Sequence, residues 1–409
     1  MDHKRKRVAL DPGRRLLLAS TMPVLPQELI DAILAELAGP AAHRTLKACS
    51  LVARSFVTAS QRGLFRFLTL TSKTVGIVST RFSDRPHLAL YVRDLHVDIH
   101  MNTKLYQTPL LKTFQLLKKV QRLAISSYSW QTWDSWASFS DEFRETFLSL
   151  LKLPSLRCFA LTRCRGVPIG LIRHALTSYK EVGLLVTGID VHQEIELPSS
   201  APGENGKSLT HLLLNYAPAQ NAAFHSLMVG DEITASLTHL RHLELAVPVQ
   251  GSLGGLEVIA SKYSSSLQHL VINFWQRHDH PINLPSLPSL EILTLKASVG
   301  RLRIPVAILS TMISLPSCTP HLEILNIIVD AEYDGSGKVV DQYNVCEVET
   351  ALENLPRLRE VNWGIFSDDV VAFEERVQRV LPCASAAGLF SFSTWSWRSK
   401  HDPMVHFSQ

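Results

Sequence analysis

The sequence predicts an α/β protein in two parts. A compact module of three short helices comes first, followed by an irregular solenoid of about ten strand-bearing units. Three observations lead there. Leu29, Ile30, Ile33, Leu34 and Leu37 recur at helical spacing between Pro26 and a Gly39-Pro40 stop. From about Tyr91 an apolar-x-x-apolar-x-apolar motif occurs ten times, its first positions 23 to 36 residues apart. The chain has 409 residues, 46% hydrophobic and 19% charged, enough apolar material for an extended core and too much for disorder.

Residues 1–22 read as a basic, flexible tail. The first helix opens at Leu25-Pro26-Gln27-Glu28-Leu29-Ile30. Proline is tolerated in a first helical turn because its missing N–H would have no partner there. Glu28 and Asp31 complement the positive end of the helix dipole. Thr45 is the expected cap of a second helix carrying Leu46, Cys49, Leu51 and Val52. A third runs from about Arg54 to Leu64, with Phe56 and Leu64 inward. Phe67-Leu68-Thr69-Leu70 alternates and leaves the module, residues 23–70, as a strand. So small a module buries little surface by itself, so its apolar face is expected to be shared with a partner or with the following domain.

Residues 71–90 read as a helical connector and 91–382 as the repeat domain. The motif runs from Val92/Leu95/Val97 through Leu156/Phe159/Leu161 and Leu290/Leu293/Leu295 to Leu358/Val361/Trp363. Its mean spacing of about 30 residues falls in the range of leucine-rich units. Each unit supplies one strand whose alternate residues point into a core that only stacked neighbours complete. A curved solenoid with a broad exposed strand face is the expectation. Regular units place Asn or Cys three residues after the last leucine, and here Cys164 alone sits there. The alternative is an ordinary α/β domain with such strands by chance. Phe373 to Leu381 is expected to form a capping helix stopped by Pro382, and residues 383–409 a cap or tail.

Net charge is +4, unevenly placed: residues 1–70 hold 11 Lys+Arg against 5 Asp+Glu. The run Lys4-Arg5-Lys6-Arg7 is a candidate nuclear import signal or a solvated tail. No basic face with interleaved aromatics follows, so nucleic-acid binding is not expected. No stretch approaches the ~18 apolar residues of a membrane span. The expected setting is therefore intracellular, in cytoplasm or nucleus. None of the six cysteines forms C-x-x-C, so reduced, mostly buried thiols are expected.

The segment Pro23 to Leu70 resembles an F-box. The matching residues are Leu25-Pro26, Glu28-Leu29-Ile30, Ile33 and Leu37, then Leu46-Lys47-Ala48-Cys49-Ser50-Leu51-Val52, Arg54-Ser55-Phe56 and Leu64-Phe65-Arg66. Ala53 stands where a second cysteine is usual, and Phe56 where tryptophan is common. The continuation Arg85-Pro86-His87-Leu88-Ala89-Leu90-Tyr91-Val92-Arg93-Asp94-Leu95 is similar to the first repeat strand of fungal F-box proteins, those of mushroom-forming species especially. The resemblance implies an F-box followed by a degenerate leucine-rich-repeat-like domain. It further implies a non-catalytic substrate receptor of an SCF-type cullin ubiquitin ligase. Leu25, Pro26, Leu29, Ile33, Leu51, Val52, Phe56 and Leu64 would then bind the Skp adaptor, and through it a cullin-RING scaffold. The repeats would hold a protein substrate, raising its effective concentration near activated ubiquitin. The alternative is a repeat scaffold acting outside ubiquitin transfer.

Rival chemistry is weak. His278-Asp279-His280 lacks a third placed metal ligand. Gly335-Ser336-Gly337-Lys338 has Glu332 where a phosphate loop needs glycine and Val339 where it needs Ser/Thr, so a glycine turn is expected. No catalytic or cofactor motif is present, and no enzyme activity, cofactor or metal is expected. His96, His211, His239, His242, His269 and His321 lie in or beside repeat strands, where strand-face positions account for them. Trp130, Trp133 and Trp136 form either a satellite hydrophobic cluster or an exposed anchor for a partner.

Overall fold

The computed structural model describes residues 25–37, 42–98, 104–126, 140–164, 166–185, 189–190, 208–215, 226–228, 230–247, 260–274, 284–299, 306–331, 345–365 and 370–394. The chain divides into two compact units, Met1–Phe67 and Leu68–Gln409.

The first unit contains α1 (Gln27–Glu36), α2 (His43–Cys49) and α3 (Arg54–Arg66). Pro26 caps α1, its carbonyl accepting from the amides of Leu29 and Ile30 at 3.1 and 3.2 Å. Ile30, Leu34, Leu46 and Ala59 form the core, with Leu37, Phe56 and Leu64 packed against it. Gly63 of α3 makes that core possible: a Cβ there would stand 2.9 Å from Cδ1 of Leu46. Thr45 does not cap α2. The helix starts two residues earlier, after Ala42, which leaves Thr45 exposed within it.

The second unit is built on one parallel sheet. Its strands are β1 (Phe67–Thr71), β2 (Asp94–Asp98), β3 (Arg122–Ser126), β4 (Cys158–Thr162), β6 (Glu181–Leu185), β8 (His211–Asn215), β9 (His242–Val247), β10 (His269–Phe274), β11 (Ile292–Val299), β12 (Ile324–Ala331), β13 (Glu360–Ile365) and β14 (Phe390–Thr394). These twelve strands lie side by side in chain order, while β5 (Val167–Pro168) and β7 (Ile189–Asp190) pair separately. Helices α4 (Val75–Asp84), α5 (Lys104–Leu116), α6 (Asp141–Leu151), α7 (Ile169–Ser178), α8 (Asp231–Leu237), α9 (Val306–Cys318), α10 (Val345–Glu353), α11 (Val370–Val380) and α12 (Pro382–Ala386) connect the strands. Successive helices touch, α4 with α5, α5 with α6, α7 with α8 and α9 with α10. Between α5 and α6 the contact is aromatic, Phe114 lying 6.1 Å from Phe143 and 6.5 Å from Phe147.

The register is residue for residue. Leu95, Leu123, Phe159, Val182, Leu212, Leu243, Leu270, Leu293, Leu325 and Val361 are successive partners across ten strands. The row from Val97 to Trp363, two residues on, is aligned in the same way. Period-2 alternation puts both rows on one face, and every residue of the ten apolar triplets is buried except Leu358, which is half-buried. Entry to each strand is also repeated. The carbonyl of Arg93 accepts from two successive amides, Gln121 at 2.7 Å and Arg122 at 3.0 Å. The carbonyls of Gln121, Arg157, Lys180, Thr210, Arg241, Gln268, Glu291 and Glu323 do the same one strand further on each time. Several units enter through a turn closed at the first apolar residue, among them Leu156 N–H to Leu153 O, Leu290 to Leu287 and Leu358 to Leu355. Pro154, Pro288 and Pro356 fill the second turn position, whose φ proline already has. Cys164 acts as its position predicts, its thiol donating to the carbonyls of Thr162 (3.4 Å) and Ile125 (3.7 Å).

The fold class is thus mixed α/β, with a continuous twelve-stranded parallel sheet. Three expectations are corrected. The sheet is not a solenoid of like turns, because the described helices between strands differ in length, from the five-residue α12 to the thirteen-residue α5 and α9. In the expected cap or tail, the described residues 383–394 do more than cap: Pro382 opens α12, and β14 adds a strand, Phe390 opposite Val361 and Phe392 opposite Trp363. The second face of the sheet is also less open than expected, since Ala124, Cys158, Ala160 and Leu213 on it form a buried cluster. Leu293→Ala, between two buried register partners, is expected to lower stability by ~2–5 kcal/mol. Leu358→Ala should lower it by less, about 1–2 kcal/mol, because that side chain is only partly buried. Urea midpoints measured on the full chain compare the two.

Candidate functional site

The first unit divides a single apolar stripe between two uses. Residues four apart on a helix share a face, so Leu29 and Ile33 project together and Ile30 and Leu34 project together one position on. The second pair is buried in the core. The first is exposed: Leu29 by 50% and Ile33 by 54%, with Leu25 at 48%, Leu51 at 82% and Val52 at 73%. Leu51 and Val52 sit on the turn after α2, whose amides are bonded back to Ala48 and Cys49 at 3.0 and 3.1 Å. That turn is therefore ordered while its side chains face water. The Gln27 side-chain amide donates to the Ser55 carbonyl at 3.1 Å, which brings the start of α1 beside this turn. The Asp31–Arg62 pair, 3.6 Å apart with both side chains exposed, adds little.

Of the eight residues expected to bind an adaptor, Leu25, Pro26, Leu29, Ile33, Leu51 and Val52 are exposed. Phe56 and Leu64 are half-buried against the core, and so support the surface from behind. Scattered single leucines on a surface are ordinary. Here five large apolar side chains are exposed on one small helical unit.

In the second unit the strand face opposite the leucine rows carries ion pairs and polar side chains beside its buried apolar cluster. Glu244 and Lys296 pair at 3.1 Å, and Arg122 and Glu181 at 3.9 Å. His211, His242 and His269 stand next to one another on β8, β9 and β10. Burial pushes Cys158 well up, with the carboxylate of Glu181 adding to it, and burial does the same to Cys164. Burial lowers His174, helped by Lys152. Among the described residues no cluster of three His, Cys, Asp or Glu side chains is spaced for a metal ion. None of the described helices is long and apolar enough to cross a membrane. Lys4–Arg7, the Trp130/Trp133/Trp136 cluster, His278–His280 and Gly335–Lys338 lie outside the described residues.

No protein-family model matches this chain, and no curated protein matches it.

Sequence reasoning missed the polar residues in the middle of β11 to β14, namely Thr294, Asn326, Asn362 and Ser391. The signal that finds them is the register itself, which places all four opposite one another. For the first unit, Leu29→Ser and Ile33→Ser are each expected to change stability by less than about 1 kcal/mol. Ile30→Ala and Leu34→Ala should each lower it by ~2–5 kcal/mol. Amide exchange in α1 to α3 of the full chain reads this order, and the reverse order would put Leu29 and Ile33 in a core.

Proposed function

We propose that the chain is a non-catalytic substrate-receptor subunit of an SCF-type cullin ubiquitin ligase. In this reading α1 to α3 are an F-box, and the row Leu25, Pro26, Leu29, Ile33, Leu51 and Val52 docks on a Skp adaptor. Phe56 and Leu64 hold that row from within. The strands and helices of the second unit are irregular leucine-rich-repeat-like units that hold a protein substrate. A cullin-RING scaffold, reached through the adaptor, then supplies the chemistry.

The observation carrying this is the exposure of Leu51 and Val52 on an ordered turn, together with that of Leu29 and Ile33 on α1. Burying a Leu or Val side chain is worth about 1.5–3 kcal/mol, and this unit leaves several such gains to a partner. The resemblance of the same residues to the F-box pattern gives that partner its chemistry: an apolar helical surface. The chain's part in catalysis is tethering, which raises effective concentration without reacting groups of its own.

Purified full-length chain mixed with a Skp adaptor is expected to form a stoichiometric complex. Leu51→Asp with Val52→Asp should weaken that complex by tenfold or more, about 1.4 kcal/mol or above, while the circular dichroism stays unchanged. A second reading, a repeat scaffold outside ubiquitin transfer, predicts no adaptor complex with either protein. Wild-type affinity in the double variant would remove the assigned row from the interface.

A further inference from the structure

Across the last five strands a chain of side-chain hydrogen bonds runs in one direction. The Ser391 hydroxyl on β14 donates to Oδ1 of Asn362 on β13. Nδ2 of Asn362 donates to Oδ1 of Asn326 on β12 at 2.9 Å. Nδ2 of Asn326 donates to Oγ1 of Thr294 on β11 at 3.1 Å. Oγ1 of Thr294 lies 3.2 Å from Nε2 of His269 on β10. Each donor points toward the N-terminal side of the sheet. Thr294 already accepts from Asn326, so continuing the chain sends its one hydroxyl proton to the imidazole. That requires an unprotonated Nε2 and places the proton of neutral His269 on Nδ1.

The surroundings of His269 favour the same state. Its ring lies 4.3 Å from that of His242 in an edge-on contact, and His242 lies 5.3 Å from His211 in a stacked one. Neutral rings pack at these spacings, whereas adjacent imidazolium cations repel. From β11 the ammonium of Lys296 faces the group, and from β9 the carboxylate of Glu244, which is 3.1 Å from that ammonium. From β8 it faces His211, itself near Glu181 and Arg241.

We propose that His269 is the proton-sensitive end of this five-strand hydrogen-bond chain, closing it when neutral and opening it when protonated. An imidazolium would present a second N–H to Thr294 and leave the threonine proton without its acceptor. The consequence falls on β11 to β14, which include the last strand of the sheet, β14, with its half-buried Phe390 and Phe392. Burial first, then Lys296, lower His269 from 6.5 to about 4, against a raising effect of Glu244. A histidine lowered in the folded state binds more protons when unfolded. Its stabilisation is therefore complete above about 6.5 and is lost as pH falls toward about 4. None of this depends on adaptor binding.

Ring ¹⁵N shifts of the full chain at pH 7.5 are expected to show His269 protonated at Nδ1 and bare at Nε2. Amide exchange, corrected for its intrinsic pH dependence, should lose protection in β11 to β14 by about tenfold between pH 7.5 and 5. Protection in β2 to β4 should change less. His269→Gln supplies an oxygen acceptor that does not titrate, so its exchange in β11 to β14 should be nearly independent of pH. Thr294→Val should be loosened at both pH values. His174→Gln removes a lowered histidine remote from this hydrogen-bond chain, on α7, and should leave the local loss intact. A proton on Nε2 at pH 7.5 overturns the proposal, as does the same pH-dependent loosening in His269→Gln. The shift measurement uses the unmutated chain, so it decides even where a variant fails to fold.

Discussion

The structure of the second unit depends on two inward side chains per strand held in strict register. Neighbouring strands lie about 4.8 Å apart, so an inward leucine meets the inward residue of the next strand directly. A slip of one residue would turn every inward side chain to the other face. The doubly accepting carbonyl before nine strands of the sheet, the first β2 and the last β12, fixes the same alignment from the backbone, since it anchors two successive amides of the next unit. With both constraints met at the strand, the segment between strands is free to vary. First-position spacings of 23 to 36 residues are therefore compatible with a register that never slips.

This explains what the sequence disclosed and what it withheld. Leu95/Val97 and Leu293/Leu295 were legible because their pattern is local, with three apolar positions inside six residues. Phe390 and Phe392 were not, since serines surround them and no third apolar anchor matches the motif. Only pairing with Val361 and Trp363 reveals them as the next inward pair. Thr45 misled because a threonine before a helical run is a good cap by composition, while α2 begins without any side-chain cap. The hydrogen-bond chain from Ser391 to His269 was invisible in principle, as its members stand 25 to 36 residues apart in sequence.

In the first unit the informative residues are those that local reasoning treated alike. Leu29, Ile30, Ile33 and Leu34 form one apolar stripe in sequence, too broad for the core that three short helices enclose. Ile30 and Leu34 face Leu46, which is seated because Gly63 has no side chain. Leu29 and Ile33 are left facing outward. Which half of such a stripe is core and which is surface follows from where the second and third helices lie, and hydrophobicity alone does not report that.

The polar side chains of the other strand face obey the same spacing. A pair joining strands two apart must span about 10 Å between backbones, which only long side chains manage. Arg122 on β3 and Glu181 on β6 do so over β4, where the row position between them is Cys158. A larger residue there would stand between the two charges, while a buried thiol passes beneath them and is held protonated by its burial and by the carboxylate above. Lys296 on β11 and Glu244 on β9 reach across β10 in the same manner. Neutral groups on adjacent strands instead join in single steps, as Asn362, Asn326 and Thr294 do. The face therefore combines ion pairs that skip a strand with amide and hydroxyl links that do not, and His269 stands where the two arrangements meet. Its charge changes only as pH falls toward about 4, and a proton taken up there acts on the ion pair beside it and the amide links beyond it together.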